Sequence, residues 1–263
     1  MSLNTAPVSP ATPRISLAPF LAACPNIISL GVRACLDDYS NDEKALMRRA
    51  SRIFFPTVKY VEIFRACRIP TFPCATTYRY QRSRVLQHLL FEYFDCPRPN
   101  ARIYYGKSQK QKILEDFTLP VVVMSLRNQP DAAQVARRRQ DLEQLTADRH
   151  AVLIREHIDW TEKVIFVCVR QEIIAALRTA SGGENLAGFT PLCLESASLT
   201  KPARITKKLA RMAQLDDIAV GWGCADDQWR ILGLGRPPVK WPTVNGVFNR
   251  FQYICSLIES ALL

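Results

Sequence analysis

Apolar residues follow two different spacings in the first third of the chain, and each spacing predicts a different element. Short runs rich in β-branched and aromatic residues are typical of strands and occur at 27–32, 52–56 and 69–72. Apolar residues at helical spacing predict helices at 42–50 and 57–67. Asn41 is the predicted N-cap of the first helix, and Val61, Ile63 and Phe64 are predicted to face inward from the second. This alternation predicts a small parallel α/β layer with right-handed crossovers.

The strongest pattern lies in residues 119–178. It predicts a buried strand, a mostly polar helix, two further apolar strands and a returning strand, at 119–126, 131–149, 151–158, 164–169 and 173–177. Val135, Leu142 and Leu145 form the predicted apolar side of the helix. Strand, helix, strand and hairpin together predict an α+β sandwich that could clamp a flat ligand.

The remaining segments have weaker patterns. Helices are predicted at 78–94, 107–117, 205–213 and 248–262, and strands at 102–105, 218–223 and 229–234. The first of these helices has Val85, Leu86, Leu89, Leu90 and Tyr93 on its predicted apolar face. Residues 179–202 are predicted to form a loop, and prolines predict an extended link from 237 to 242.

Composition limits the class of protein without deciding its function. Of the 263 residues, 48% are hydrophobic and 22% are charged, which excludes disordered and collagen-like chains. Residues 1–26 are the exception, because five prolines among Ser, Thr and Ala predict a flexible arm. The net charge of +11 suggests an anionic partner, namely nucleotide phosphates, nucleic acid or an acidic protein surface.

Cysteine usage and hydropathy bear on the compartment. The nine cysteines are scattered and contain no C-x-x-C pair, so we expect small buried thiols in a reducing compartment, without a disulfide framework or a zinc site. No apolar run approaches the ~20 residues that span a bilayer. The apolar run at 17–23 is short and interrupted by proline, unlike a signal peptide. We therefore expect a cytoplasmic protein with no membrane partner.

The order and spacing of seven segments resemble the ATP-grasp superfamily. They are IPTFP (69–73), SRVLQ (83–87), CPRPNAR (96–102), LPVVVM (119–124), IREHI (154–158), AVG (219–221) and ILGLG (231–235). The resemblance covers about residues 27–262, and the most similar members are the ligases that join amino acids to a carboxyl group, as in glutamate tailing of a ribosomal protein.

This resemblance implies a fold of the α/β and α+β classes. Two α+β subdomains would clamp a nucleotide cleft, behind a small parallel α/β layer. The implied organisation is a flexible arm, the layer with its linking helices, and an ATP-grasp domain of two subdomains, at 1–26, 27–118, 119–152 and 153–262.

The resemblance also implies nucleotide-binding residues. One phosphate-binding lysine of the family matches Arg84, which keeps the positive charge, and a second matches Met124, which has none. The hinge that grips adenine matches Arg155, Glu156 and His157, with Glu156 at the family's acidic position.

Other family positions are less well kept. Asn185 matches an asparagine on the nucleotide side of the cleft, but residues 127–131 replace a glycine-rich phosphate loop and contain no glycine. The acidic residue and the arginine of the next strand match Lys163 and Ile165, although Glu162 could supply the acid with a slip of one residue.

The implied metal site is the clearest departure. The family holds magnesium with an aspartate on one strand and a glutamate and an asparagine on the next, because hard cations need oxygen ligands. The matching positions are Gly221, Gly233 and Gly235, which offer no side-chain ligand. Asp226 and Asp227 lie in the turn between these strands, which would place them at the far end of the hairpin. We therefore predict no catalytic residue and no metal ligand.

Three functions remain open at this point. The first is an ATP-grasp protein that has lost catalysis, a pseudoenzyme that binds nucleotide weakly and without magnesium and acts as a regulatory protein, for which an acidic protein is the candidate partner. The second is an active ligase that forms an acyl phosphate. The third is a basic nucleic-acid-binding module, ranked last because only Tyr104 and Tyr105 accompany its basic residues.

Overall fold

The computed structural model describes residues 12–128, 133–179 and 188–263. The strands in these ranges are β1 (Arg14–Ser16), β2 (Ile28–Ser29), β3 (Arg52–Phe54), β4 (Thr71–Phe72), β5 (Ala101–Tyr105), β6 (Val121–Met124), β7 (Ala133–Ala136), β8 (Ala151–Glu156), β9 (Glu162–Val169), β10 (Glu172–Thr179), β11 (Phe189–Leu192), β12 (Asp217–Ala225), β13 (Gln228–Gly235), β14 (Lys240–Thr243) and β15 (Gly246–Asn249). The α-helices are α1 (Asn41–Arg49), α2 (Val58–Ala66), α3 (Ala75–Arg82), α4 (Arg84–Tyr93), α5 (Gly106–Lys110), α6 (Ile113–Asp116), α7 (Arg139–Thr146), α8 (Thr200–Met212) and α9 (Arg250–Glu259).

The chain forms two compact units. One contains the described residues up to Ala75 together with Phe251–Leu263, and the other is Thr76–Arg250. These boundaries differ from those predicted at 26/27, 118/119 and 152/153.

The first unit contains the predicted parallel layer. Its sheet has the order β2-β1-β3-β4, and every neighbouring pair is parallel, which confirms the prediction from the alternating pattern. Ile15 and Ile53 are fully buried and pack with Tyr60 and Phe64 of α2.

Three details of this unit differ from the sequence predictions. β1 lies inside the predicted flexible arm, because Ile15 and Leu17 bury enough apolar surface to order the segment despite its prolines. Ser40 rather than Asn41 caps α1, accepting a bond from Glu43 N at 3.2 Å while Glu43 accepts from Ser40 N. Ile63 is 40% exposed, so it does not face the core.

The second unit contains two antiparallel sheets, and the first has the order β5-β8-β6-β7. The pairing of β6 with β8 confirms the prediction that these two strands share one antiparallel sheet. Side chains alternate across β6, so Val121 and Val123 pack against the helical side while Val122 and Met124 face the opposite side.

The second sheet has the order β11-β10-β9-β12-β13 and is antiparallel throughout. Trp222 of β12 is fully buried in its core and donates from Nε1 to Thr206 of α8 at 2.8 Å. Asp226 and Asp227 have positive φ angles and form the predicted turn between β12 and β13.

Several predicted elements of this unit are corrected. The predicted helix 78–94 is two helices, α3 and α4. Of its predicted apolar face, Leu90 is buried, whereas Leu86, Leu89 and Tyr93 are exposed. The predicted helix 107–117 is also two short helices, α5 and α6. β7 occupies the beginning of the predicted helix 131–149, and Val135 is 39% exposed.

The predicted proline-rich link is also ordered. β14 begins within it and forms a hairpin with β15, with the rings of Trp241 and Phe248 stacked at 4.6 Å. β11 and a short 3-10 helix, Ala197–Leu199, interrupt the predicted loop 179–202. Among the described residues, no helix is both long enough and apolar enough to cross a bilayer.

Candidate functional site

A cavity of about 430 Å³ lies within the unit Thr76–Arg250. Its walls come from the two antiparallel sheets and from α4. The four-stranded sheet contributes Met124, Leu153 and Arg155, which share one face because residues of a strand alternate between faces.

The opposite wall is made by β9, β12 and β13. Its residues include Ile165, Gly221, Gly233 and Gly235, and Gly221 pairs with both Ile165 and Gly233 across the sheet. The three positions that the resemblance assigned to metal ligands therefore line one cavity.

Contacts of Ser83 and Arg84, at the beginning of α4, position this helix at the cavity. Ser83 accepts a hydrogen bond from Leu86 N and forms an isolated bridge with Arg127, so one helix ends and a new one begins there. Arg84 N donates to Leu126 O at 2.9 Å, and its Nη1 donates to Ser125 O at 3.1 Å. The segment that follows β6 thereby determines where Arg84 lies.

Two amides attach the helices to β13. The buried Gln87 donates to Leu234 O at 2.9 Å and accepts from Leu234 N at 3.0 Å. Asn128 donates to Leu234 O and to Gln81 O, both at 2.9 Å. Sequence reasoning missed Gln87 and Asn128, since a lone amide in a helix or loop carries no pattern.

A β-bulge places a backbone acceptor at the cavity. Gly221 pairs with Gly233 but Trp222 pairs with Ile231, so Leu232 has no partner across the hairpin. Leu232 O accepts a hydrogen bond from Arg155 Nη1 at 3.3 Å.

Arg155 is the most unusual side chain at the site. Its Nε atom is buried and has no hydrogen-bond partner among the described residues, although the residue as a whole keeps some solvent exposure. The pKa of Arg155 is lowered to about 10, mainly by burial and also by the positive charge of Arg84. Burial also lowers the pKa of Arg84. Two guanidinium groups that repel each other thus lie at one cavity.

The described lining of the cavity is cationic. Its charged members are Arg84, Arg98, Arg155 and Arg236, and no aspartate or glutamate is found among the described residues that line it. Burial lowers the pKa of His88 at the same wall, which favours the neutral imidazole. Such a cavity favours an anionic ligand and offers a divalent cation no carboxylate from these residues.

The structure brings only part of the predicted nucleotide site together. Arg84 and Arg155 line the cavity, whereas Glu156 and His157 do not. Glu156 accepts a hydrogen bond from Asn100 N at 2.8 Å, and His157 Nδ1 lies 3.8 Å from an Asp159 oxygen.

Other predicted positions lie elsewhere. Asn185 and residues 129–131 fall outside the described residues. Glu162, the alternative acid, forms an ion pair with Arg178 at 2.7 Å. Of the residues that the resemblance assigned to the next strand, Ile165 lines the cavity and Lys163 does not.

Comparison with solved structures connects this geometry to a fold. A RimK domain protein described as ATP-grasp, from Sphaerobacter thermophilus, has a TM-score of 0.66 at 14% identity, over 85% of this chain and 90% of that one. The chain has the ATP-grasp fold. D-alanine–D-alanine ligase from Bacillus anthracis, in complex with ATP, has a TM-score of 0.65 at 10% identity, over 93% of this chain and 92% of that one.

A third similar structure is longer. N5-carboxyaminoimidazole ribonucleotide synthetase from Thermus thermophilus has a TM-score of 0.62 at 17% identity, over 84% of this chain and 64% of that one. The chain also spans only 63% of another synthetase of this kind, which was solved with ADP. No protein-family model and no curated protein sequence matches this chain. At these identities the likeness establishes the ATP-grasp fold alone.

Proposed function

We propose that this protein is a catalytically impaired relative of the ATP-dependent carboxylate–amine ligases, and that it binds a nucleotide as a regulatory or partner-binding protein. The observation that carries the proposal is the cavity wall at Gly221, Gly233 and Gly235. The resemblance assigns the three magnesium ligands to these positions, and a glycine has no side chain to supply one.

The lost groups matter because phosphoryl transfer depends on electrostatic stabilisation of the transferred group. One preorganised donor contributes roughly 3 kcal/mol, or about a hundredfold in rate. Met124, buried at the cavity, supplies neither the charge nor the donor of a lysine. Several such losses together would leave ligase turnover undetectable.

Nucleotide binding is the part of the activity that this cavity retains. Arg84 keeps a cation at a position that the resemblance assigns to a phosphate-binding lysine. Because none of the described residues that line the cavity is a carboxylate, they offer magnesium no site that would bridge protein and phosphates. ATP binding should therefore be weak and nearly independent of magnesium.

Two features bear on the cellular compartment and on the partner of this protein. All nine cysteines lie in the described ranges and are free thiols, which supports a cytoplasmic protein. The net charge of +11 supports an acidic protein partner, because opposite charges accelerate and orient association.

The alternative is an active ligase that forms an acyl phosphate. The two proposals are separated by incubating the full chain with magnesium, ATP and a panel of amino acids and peptides while ADP release is measured. We expect no acceptor-dependent ADP release, whereas steady release that requires a carboxylate acceptor would establish the ligase instead.

Calorimetry on the same preparation tests nucleotide binding. ATP should bind weakly, with similar affinity in magnesium and in a chelator. Sub-micromolar binding that requires magnesium would contradict the proposal, because it would demand metal ligands that the described lining of the cavity does not provide. If ATP and adenosine both fail to bind at millimolar concentration, the nucleotide part of the proposal is wrong.

A further inference from the structure

Three potential metal ligands meet in the first unit, which does not contain the cavity. The sulfur atoms of Cys24 and Cys255 and a carboxylate oxygen of Glu259 all lie within 4.8 Å of one another. Cys255 Sγ donates a hydrogen bond to Glu259 Oε1 at 3.6 Å, and the two thiols are hydrogen-bonded to each other. Cysteine spacing predicts no zinc site here, because Cys24 lies far from the other two residues in the sequence.

Helix α9 supplies two of the three groups. Cys255 and Glu259 are four residues apart in this helix, so their side chains lie on the same face, one turn apart. Glu259 is also the last residue of α9. A carboxylate at this end of a helix opposes the helix dipole, whereas a cation is favoured there. A metal ion bound by Glu259 would therefore replace an unfavourable charge with a favourable one.

The third group is fixed by turns on both sides of Cys24. Its backbone N–H donates to Leu21 O at 2.9 Å, and its carbonyl accepts from Ile27 N at 3.2 Å. The Cys24 residue is 2% exposed. Its thiol is thus held in one place by the backbone around it, as a preorganised ligand should be.

Further contacts hold the segment 14–24 against α9. Arg14 Nη1 donates to Ile258 O at 2.8 Å, next to Glu259. The ring of Phe20 stacks on that of Phe251, with 4.4 Å between their centroids. These contacts bring the sulfur atoms together without a metal ion, so little ordering of the chain would be needed when one binds.

From this geometry, we propose that Cys24, Cys255 and Glu259 bind a zinc ion that links the segment 14–24 to α9. Zinc–sulfur distances of about 2.3 Å and zinc–oxygen distances of about 2.1 Å place the two ligand atoms about 3.5 Å apart at a tetrahedral angle. The 3.6 Å between Cys255 Sγ and Glu259 Oε1 is close to this separation. Both thiols release their protons to solvent when zinc binds, and water takes the fourth position.

The donor set selects zinc among the common metal ions. Two thiolates do not suit magnesium or calcium, which prefer oxygen ligands, and the carboxylate does not suit copper(I), which prefers sulfur. Iron–sulfur clusters use four cysteines, twice the number in this group. The ion can enter from the side of Glu259, which is exposed while Cys24 is buried. This inference goes beyond the proposed function and does not depend on it.

The test uses the full chain, reduced and then stripped of metal with a chelator. Zinc affinity is measured by competition with a chromogenic chelator. Cadmium serves as a second probe, because the intensity of its thiolate charge-transfer band reports how many thiolates bind it. The variants are Cys255→Ser and Glu259→Gln. Cys67→Ser is the matched control, since Cys67 is an exposed cysteine of the same unit outside the group.

We expect one zinc ion per chain in the wild type and in Cys67→Ser, with equal affinity. Cys255→Ser should bind zinc roughly a hundredfold more weakly or worse, and Glu259→Gln about tenfold more weakly, because few ligands share the binding free energy. At saturating cadmium, Glu259→Gln should keep the full thiolate band, whereas Cys255→Ser should lose at least half of it. Zinc should raise the melting temperature of the wild type more than that of either variant.

Two results would overturn the proposal. Equal zinc affinity of the wild type and Glu259→Gln would place the metal elsewhere. Glu259 is exposed, so this variant should fold and decides the question even if Cys255→Ser does not fold. The other result is a Cys24–Cys255 disulfide, found by mass spectrometry of protein purified without reductant, together with no zinc binding by the reduced chain. The two thiols would then be a redox pair and not metal ligands.

Discussion

Arg250 and Arg155 are arginines of one compact unit with opposite surroundings. Arg250 forms an almost fully buried ion pair with Asp217, whose side chain is 4% exposed. Arg155 has an unpartnered Nε among the described residues. The sequence does not reveal which of the two arginines is paired, because the carboxylate that meets Arg250 is 33 residues away in the chain.

The paired arginine should be costly to remove. Arg250→Met should destabilise the protein by about 3–5 kcal/mol, because it leaves the carboxylate of Asp217 buried without its partner. Chemical denaturation followed by circular dichroism measures the loss.

The double variant Asp217→Asn with Arg250→Met is the control for this prediction. Removing both charges should recover much of the lost stability, since a buried ion pair often contributes little net free energy. Equal stability of the wild type and the single variant would show that the pair is not buried in solution.

At the level of elements, the sequence predicted the strands of the central sheets well. The β-branched runs at 121–124, 164–169 and 218–223 are fully or largely buried, and such runs have few alternatives to a strand. The turn at Asp226 and Asp227 was also predictable, because two aspartates between apolar strands favour positive φ angles.

The helices were predicted less well, for physical reasons that lie outside the local pattern. The break between α3 and α4 at Ser83 depends on a bridge to Arg127, a contact distant in sequence. Leu89 and Tyr93 continue the apolar spacing but are exposed while Leu90 is buried, so periodicity predicted the buried face only in part. The cavity residues Gln87 and Asn128 are recognisable only once β13 is in place.

A glycine of β12 offers a test of sheet packing that the sequence could not supply. A Cβ atom at Gly223 would lie 2.5 Å from the ring of Trp160, which is closer than real atoms approach. Gly223→Ala should therefore destabilise the protein by about 1–3 kcal/mol, the usual range for overpacking, as measured by thermal unfolding.

Gly235→Ala on the adjacent strand β13 is the matched control. Apart from its chain neighbours, no described residue has a heavy atom within 4 Å of a Cβ at this position, so the added methyl should be tolerated. If both variants unfold at the same temperature, Trp160 does not cover β12 as described.

At the scale of the whole molecule, the ATP-grasp fold is present, and we propose that the chemistry that the resemblance associates with it is reduced. The cavity between the two antiparallel sheets keeps its walls, but glycines and Met124 occupy positions assigned to metal ligands and a phosphate-binding lysine. The fold can persist when such side chains are lost, because its stability comes from the buried strands and not from the side chains that line the cavity.

Met124→Lys tests this separation of fold and chemistry. Met124 is 5% exposed and packs with Val122 and Leu153, beside a cavity already lined by arginines. A lysine there should lower the stability of the ligand-free protein, because it buries a cation beside arginines and the described lining of the cavity contains no carboxylate. It should also tighten ATP binding about ten- to a hundredfold, since one charge-assisted hydrogen bond contributes roughly 1.5–3 kcal/mol.

The two effects of Met124→Lys should be opposite in sign and visible in one experiment. Without ligand, the variant should melt below the wild type, whereas saturating ATP should raise its melting temperature by more than that of the wild type, because stabilisation grows with affinity. Adenosine should show no such gain, since it has no phosphate to meet the new charge. Met124→Leu, which preserves volume, controls for packing and should change neither ligand's effect. A lysine variant that binds ATP and adenosine with equal gain would show that position 124 does not face the phosphates, and would remove the main support for aligning this cavity with a nucleotide site.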